Sequence, residues 1–172
     1  VASLIHDDVI DESNLRRGQA SVNARWQSRN AVIIGDYILA RNMNIGLQSG
    51  QYDLLTHIIG AMSSLCEGEL IQGDHAAKLN TSREHYLDII YKKTASLFEV
   101  CGSVGAISVG ASREKVAAMS TFGNMLGMAF QIVDDILDFV PNNNTGKPAA
   151  NDLRERKITL PLIEVLERVS AE

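Results

Sequence analysis

At 172 residues, 45% of them hydrophobic and 22% charged, the chain has the length and composition of one globular domain. A formal net charge of −5 excludes a general nucleic-acid binder, which needs a basic face. Only 5% of residues are aromatic, so an aliphatic core is expected. No uninterrupted apolar run reaches the ~18 residues needed to cross a bilayer, so no transmembrane segment is expected. Cys66 and Cys101 form no CxxC pair. They read as reduced thiols in a reducing compartment, with a cytoplasmic location as the expectation.

The chain opens on Val1-Ala2-Ser3-Leu4-Ile5-His6, with no initiator Met and no cap ahead of an apolar run. It is therefore expected to begin inside a helix, as one catalytic domain over 1–172 incomplete at the N-terminus and at the C-terminus. Apolar residues recur at three and four, and Pro141, Pro148 and Pro161 all lie in the last third. The pattern predicts helices at about 1–12, 29–49, 51–74, 83–108, 112–140 and 158–170. Ser82 before Arg83-Glu84 and Ser112 before Arg113-Glu114 read as N-caps. The stretch from Pro141 to Pro148 reads as a loop. Many glycines fall inside the helices, among them Gly35, Gly68, Gly102, Gly123 and Gly127. They allow either close helix approach or room for a long ligand.

The motif DDxxD occurs twice, as Asp7-Asp8-Val9-Ile10-Asp11 and as Asp134-Asp135-Ile136-Leu137-Asp138. Positions i and i+4 share a helix face, so Asp7 stacks over Asp11 and Asp134 over Asp138. Like charges at that spacing repel by roughly 0.2–0.5 kcal/mol per pair even when exposed. Burial raises that cost. Such clusters suit a hard divalent cation with oxygen ligands, Mg²⁺ above all. One motif alone also reads as a solvated acidic face. The second is flanked by Phe130, Ile132, Val133, Ile136, Leu137 and Phe139, which argues against a solvated stripe.

Basic residues follow each cluster. Arg16-Arg17-Gly18 comes one or two turns after the first, and guanidinium suits bidentate phosphate recognition. Gln131 lies one turn before Asp134, and Lys147 and Lys157 follow the second cluster as point charges within reach of a phosphate. In Lys92-Lys93-Thr94, one lysine is expected to face the interior and its neighbour solvent. Lys93 and Thr94 would then offer a cation and a hydroxyl to a diphosphate.

With these residues in place, the chain resembles the trans-type polyprenyl diphosphate synthases. The matching stretches are LIHDDVIDESNLRRG at 4–18, GD at 35–36, GE at 68–69 and KKTASLF at 92–98. GMAFQIVDDILDF at 127–139 and GKPAANDLRERKITLPLI at 146–163 complete the series. The resemblance implies an all-α helical bundle of the isoprenoid synthase type, with the two motifs facing each other across a deep central cavity. It implies that Asp7, Asp11 and Asp134 bind Mg²⁺ bridging the diphosphate of an allylic prenyl substrate. Asp8 and Asp138 would support or share that role, and Asp135 belongs to the same catalytic set. Arg16, Lys93, Thr94, Gln131, Lys147 and Lys157 are expected around the allylic diphosphate, and Arg17 toward isopentenyl diphosphate. The implied reaction is head-to-tail condensation of those two substrates, with no protein nucleophile.

In this family the residues one turn before the first motif form the cavity floor. Here they are Ala2 and Ser3, whose small side chains favour a long product. The resemblance also implies a homodimer, and a greasy product suggests peripheral membrane contact on release. The rival readings are a short-chain synthase, a class I terpene cyclase and a non-catalytic partner subunit. Cyclases replace the second motif with an Asn/Ser/Glu triad, and partner subunits tend to lose the acids; this chain keeps both clusters. A phosphohydrolase built on His6-Asp7 is disfavoured, because His57, His75 and His85 lack supporting metal spacing.

Overall fold

A serine hydroxyl starts three of the helices. In the computed structural model, which describes residues 1–140, 151–154 and 156–169, Ser21 accepts from the Ala24 amide at 3.1 Å. Ser82 accepts from His85 at 3.2 Å and Ser112 from Lys115 at 3.4 Å. Each bond satisfies an amide donor that a helix start leaves without a partner. The helices are α1 (Ala2–Ile10), α2 (Val22–Gln48), α3 (Tyr52–Lys78) and α4 (Arg83–Ile90). They continue with α5 (Ser96–Ser108), α6 (Arg113–Asp138), α7 (Asn151–Arg154) and α8 (Leu160–Val169). A π-helical turn, Tyr91–Ala95, joins α4 to α5. Two short strands, β1 (Leu15–Arg16) and β2 (Gln19–Ala20), are the only ones among the described residues. The expected all-α class is therefore what the chain adopts. The loop read at 141–148 lies outside the described residues.

The residues form two compact units, Val1–Leu55 and Thr56–Glu172. In the first, α1 packs on α2 through Ala2, Ile5 and Asp8, spaced by three along one face. His6 sits so close to Gly35 that a Cβ there would overlap the ring. Its Nε2 lies 3.2 Å from the Val32 carbonyl and 3.2 Å from the Asp36 carboxylate. The strands β1 and β2 pair antiparallel, Leu15 with Ala20 and Arg16 with Gln19. Arg17 and Gly18 close this hairpin with φ of 52° and 74°. Two successive positive φ values are what a tight type I′ turn requires, and glycine takes one without strain. The helix expected at about 29–49 follows a kink in α2 where Gln27 leaves helical geometry at φ 69° and ψ 156°, and a short helical segment from Val22 precedes the kink.

In the second unit, α5 and α6 meet at backbone distance. A Cβ at Gly102 would strike the Met119 carbonyl, one at Gly123 the Phe98 carbonyl, and one at Gly127 the Ala95 backbone. Close approach, not ligand room, explains these three glycines. A small core joins Tyr86 and Ile90 of α4, Ile163 of α8, and Met128 and Ile132 of α6. It is aliphatic apart from Tyr86. Arg83 bridges Glu164 and Glu167, each at 2.7 Å, and fastens α4 to α8.

One expectation is revised. By length and composition, α3 and α6 are each apolar enough to cross a membrane. Counting unbroken apolar runs misses this, because scattered glycine, serine and threonine hardly lower the mean hydropathy. Cys66 and Cys101 are both exposed and form no disulfide.

Candidate active site

Each acidic motif ends a helix. Asp7 and Asp8 lie in the last turn of α1, and Asp11 is its C-cap residue. Asp134, Asp135 and Asp138 form the last turn of α6. Helix C-termini carry the negative end of the backbone dipole, where cations are favoured and carboxylates are not. Neither helix has a basic residue in its last turn. The dipole and the carboxylates therefore add their negative potentials at both places.

Within each motif the middle aspartate turns inward. Asp8 is 3% exposed and Asp135 is 5% exposed. A buried carboxylate needs compensating partners, and the two motifs find different ones. Arg16 Nε donates to Asp8 Oδ1 at 2.7 Å, while its Nη2 lies 3.7 Å from Asp7 Oδ2. The chain reversal just after α1 makes this reach possible: Glu12 takes φ 49° and the Ser13 amide donates to the Asp8 carbonyl at 2.9 Å, which turns the chain leading into β1 back toward α1. Arg17 occupies the turn itself and is exposed.

Asp135 is held by neutral donors instead. The Tyr86 hydroxyl donates to Oδ2 at 2.7 Å and Gln131 Nε2 to Oδ1 at 2.8 Å. Gln131 Oε1 in turn accepts from Thr94 Oγ1 at 2.7 Å. Burial pushes the Asp135 carboxyl above its usual range, against the lowering effect of its two donors. Burial, reinforced by the neighbouring carboxylate, pushes the Tyr86 phenol up, so it stays protonated and able to donate. Asp134 is exposed, and half-buried Asp138 accepts from the Asp152 amide at 3.1 Å.

The lysine pair departs from expectation. Lys93 Nζ reaches Glu69 at 2.8 Å and Gln72 at 3.0 Å, while Lys92 reaches Asp88 at 3.2 Å and Glu67 at 3.8 Å. Neither points simply to solvent. Both lysines sit on the π-helical turn, and Lys92 meets Asp88 at the ordinary helical spacing of four. Gly68 lies against the backbone of this turn, and its neighbour Glu69 takes Lys93. Gly35 and Asp36 treat His6 the same way. In both dipeptides the glycine admits the neighbour and the acid pairs with it.

Of the residues singled out by sequence, Asp7, Asp8, Asp11, Arg16 and Arg17 fall together in the first unit. Thr94, Gln131, Asp134, Asp135 and Asp138 fall together in the second, and Lys93 sits on the same π-helical turn as Thr94. Lys157 is half-buried and follows α7. Lys147 lies outside the described residues. Ala2 is buried on the packed face of α1, whereas half-buried Ser3 lies one turn below Asp7. Sequence reasoning missed Tyr86, whose only signal was a tyrosine in an otherwise aliphatic core.

Among the described residues, no three His, Cys, Asp or Glu side chains form a closed metal cage. Mg²⁺ does not need one. It is held by one or two carboxylates, with phosphate and water oxygens completing its octahedron. Hard, carboxylate-only clusters at negative helix ends fit that ion.

The chain belongs to the polyprenyl synthetase family, which it matches over residues 1–172. It is 40% identical to the octaprenyl diphosphate synthase of Haemophilus influenzae, across 99% of this chain and 52% of that one. It is 35% identical to a short chain isoprenyl diphosphate synthase of Methanothermobacter thermautotrophicus, across 98% of this chain and 53% of that one. The crystal structure of a polyprenyl synthase from Caulobacter crescentus, complexed with calcium and isoprenyl diphosphate, superposes with a TM-score of 0.88. That match has 38% identity and covers 98% of this chain and 52% of the other. The chain thus spans about half the length of the curated relatives it matches.

Proposed function

We propose that the protein carrying this chain condenses isopentenyl diphosphate with an allylic prenyl diphosphate, head to tail, with Mg²⁺. The observation that carries this reading is the doubled placement of aspartates on negative helix ends. That placement is costly unless dications neutralise it. Bound Mg²⁺ would draw charge from the departing diphosphate. Asp7 and Asp11 in the first unit and Asp134 in the second would each serve as Mg²⁺ ligands, as the resemblance implies. Arg17, exposed on the hairpin turn, would reach an isopentenyl diphosphate oxygen bidentately. The allylic C–O bond breaks, the isopentenyl double bond attacks the freed carbon, and the released diphosphate takes a proton from the carbon adjacent to the new cation. Thr94 and Gln131, fixed by their mutual bond, would line the reacting end.

A long-chain product is favoured by Ser3, which stands one turn below Asp7 and is too small to block a growing chain. Relatives of similar identity make both long and short products, so a short-chain synthase is the second reading. Assembly as a homodimer is supported by the exposed Ile33 and Tyr37 of α2. Unpaired Cys66 and Cys101 support a reducing, cytoplasmic setting. The test is incubation of the full-length protein with labelled isopentenyl diphosphate and several primers, with and without Mg²⁺, followed by chain-length analysis. Extension that needs Mg²⁺ is expected; extension with none of the primers would refute the reading. Ser3→Phe is expected to shorten the product.

A further inference from the structure

Tyr86 belongs to neither acidic motif, yet its side chain reaches one from 49 residues away. It is 3% exposed, wedged among Ile90, Ile163 and Met128, and its hydroxyl meets Asp135 Oδ2 at 2.7 Å. The local helix geometry makes the contact possible. Eight residues of α-helix turn through ~800°, which would leave Tyr86 and Thr94 ~80° apart around the axis. The extra residue absorbed by the π-helical turn reduces that offset to ~20°. Tyr86 and Thr94 then address the same face of α6, where Asp135 and Gln131 lie four residues apart. Three hydrogen bonds of 2.7–2.8 Å run unbroken from Thr94 through Gln131 and Asp135 to Tyr86.

We propose that Tyr86 is a positioning residue for the second acidic motif. By holding Asp135 inward it fixes the rotation of the α6 terminus and so presents Asp134, its exposed neighbour, to the dication–diphosphate group. Successive helical residues differ by ~100°, so an anchored Asp135 leaves Asp134 a defined flank instead of a range of orientations. A neutral phenol does this without cancelling the negative potential that the dication needs. Arg16 holds Asp8 in the first motif at the cost of one cancelled charge. The inference rests on the function proposed above, because it gives Asp134 that role.

The test uses Tyr86→Phe in the full-length protein, with electron paramagnetic resonance of Mn²⁺ binding in the presence of inorganic diphosphate. Loss of one supporting partner is expected to weaken Mn²⁺ binding by about 10- to 100-fold. kcat should fall while the KM for isopentenyl diphosphate stays put. Tyr86→His, which restores a ring donor, should recover part of the affinity, and Tyr91→Phe, on the adjoining π-helical turn and facing Glu99, should keep it. Unchanged Mn²⁺ affinity in Tyr86→Phe, with only a lower melting temperature, overturns the proposal. So does an equal loss in Tyr91→Phe. If wild-type protein binds Mn²⁺ and diphosphate but transfers no prenyl group, the proposed function fails while these comparisons still decide the role of Tyr86. If it binds neither, both fail.

Discussion

The two acidic motifs share their letters and differ in how they are held. Around Asp8 the support is local and charged: Arg16 comes from eight residues on, in the strand β1 that follows α1. Around Asp135 it is distant and neutral: Tyr86 comes from 49 residues away, on another helix of the same unit. A carboxylate taken out of water can be compensated by a cation or by dipoles, and the two choices leave different fields behind. The cation offsets part of the first cluster's charge. The dipoles leave the second cluster's charge intact, so the second motif should depend more steeply on Mg²⁺.

The largest effects should come from the outer acids. Asp7→Asn and Asp134→Asn are each expected to lower kcat by about 10²- to 10³-fold, the scale of removing one element of transition-state charge stabilisation. Steady-state kinetics over a range of Mg²⁺ would check this, and the half-saturating Mg²⁺ should rise more for Asp134→Asn. Arg16→Ala would break the comparison from the other side. It strands a buried carboxylate and should cost about 2–4 kcal/mol in urea unfolding. Tyr86→Phe removes a neutral donor and should cost about 1–2 kcal/mol. If the two costs came out in the opposite order, the charged-versus-neutral distinction would be wrong.

Smaller effects sharpen the picture. Arg17 occupies a left-handed position that costs roughly 1 kcal/mol for a residue with a Cβ. Arg17→Asn should therefore leave stability unchanged or raise it by up to ~1 kcal/mol, while the KM for isopentenyl diphosphate rises. A stability loss instead would mean that the arginine serves the hairpin and not a ligand. Asp135→Asn should give the smallest change. The carboxyl's pKa is raised in the fold, so the folded state binds its proton more tightly than the unfolded chain, whose value is near 3.8. Ionised Asp135 thus opposes folding at neutral pH, and that opposition fades as pH falls through its folded pKa. The asparagine variant should gain a little stability near pH 7 and lose the gain toward pH 4, as thermal melts at several pH values would show.

The acid motifs, the helical class and two of the serine caps were legible because each is local: a spacing, a periodicity or a single capping residue. Ser82 and Ser112 cap where the sequence placed them. The hairpin at 15–20 was less visible, because Arg-Gly is not among the favoured type I′ pairs even though Gly18 serves it well. The π-helical turn was invisible, since Tyr91-Lys92-Lys93-Thr94-Ala95 reads as ordinary helix. Tyr86 stayed hidden for a related reason. Its partner lies 49 residues away, and no periodicity within one helix reports a hydrogen bond to another.

The division of labour inside each motif, with outer acids facing the ligand and the middle acid anchored, is tested most directly by calorimetry. Mg²⁺ would be titrated into the full-length protein with a non-reactive allylic thiolodiphosphate present, in wild type, Asp134→Asn and Asp135→Asn. The account predicts that Asp134→Asn abolishes the metal-dependent binding, whereas Asp135→Asn, still able to meet Tyr86, stays within about threefold of wild type. Equal losses in both variants, or a greater loss in Asp135→Asn, would contradict it.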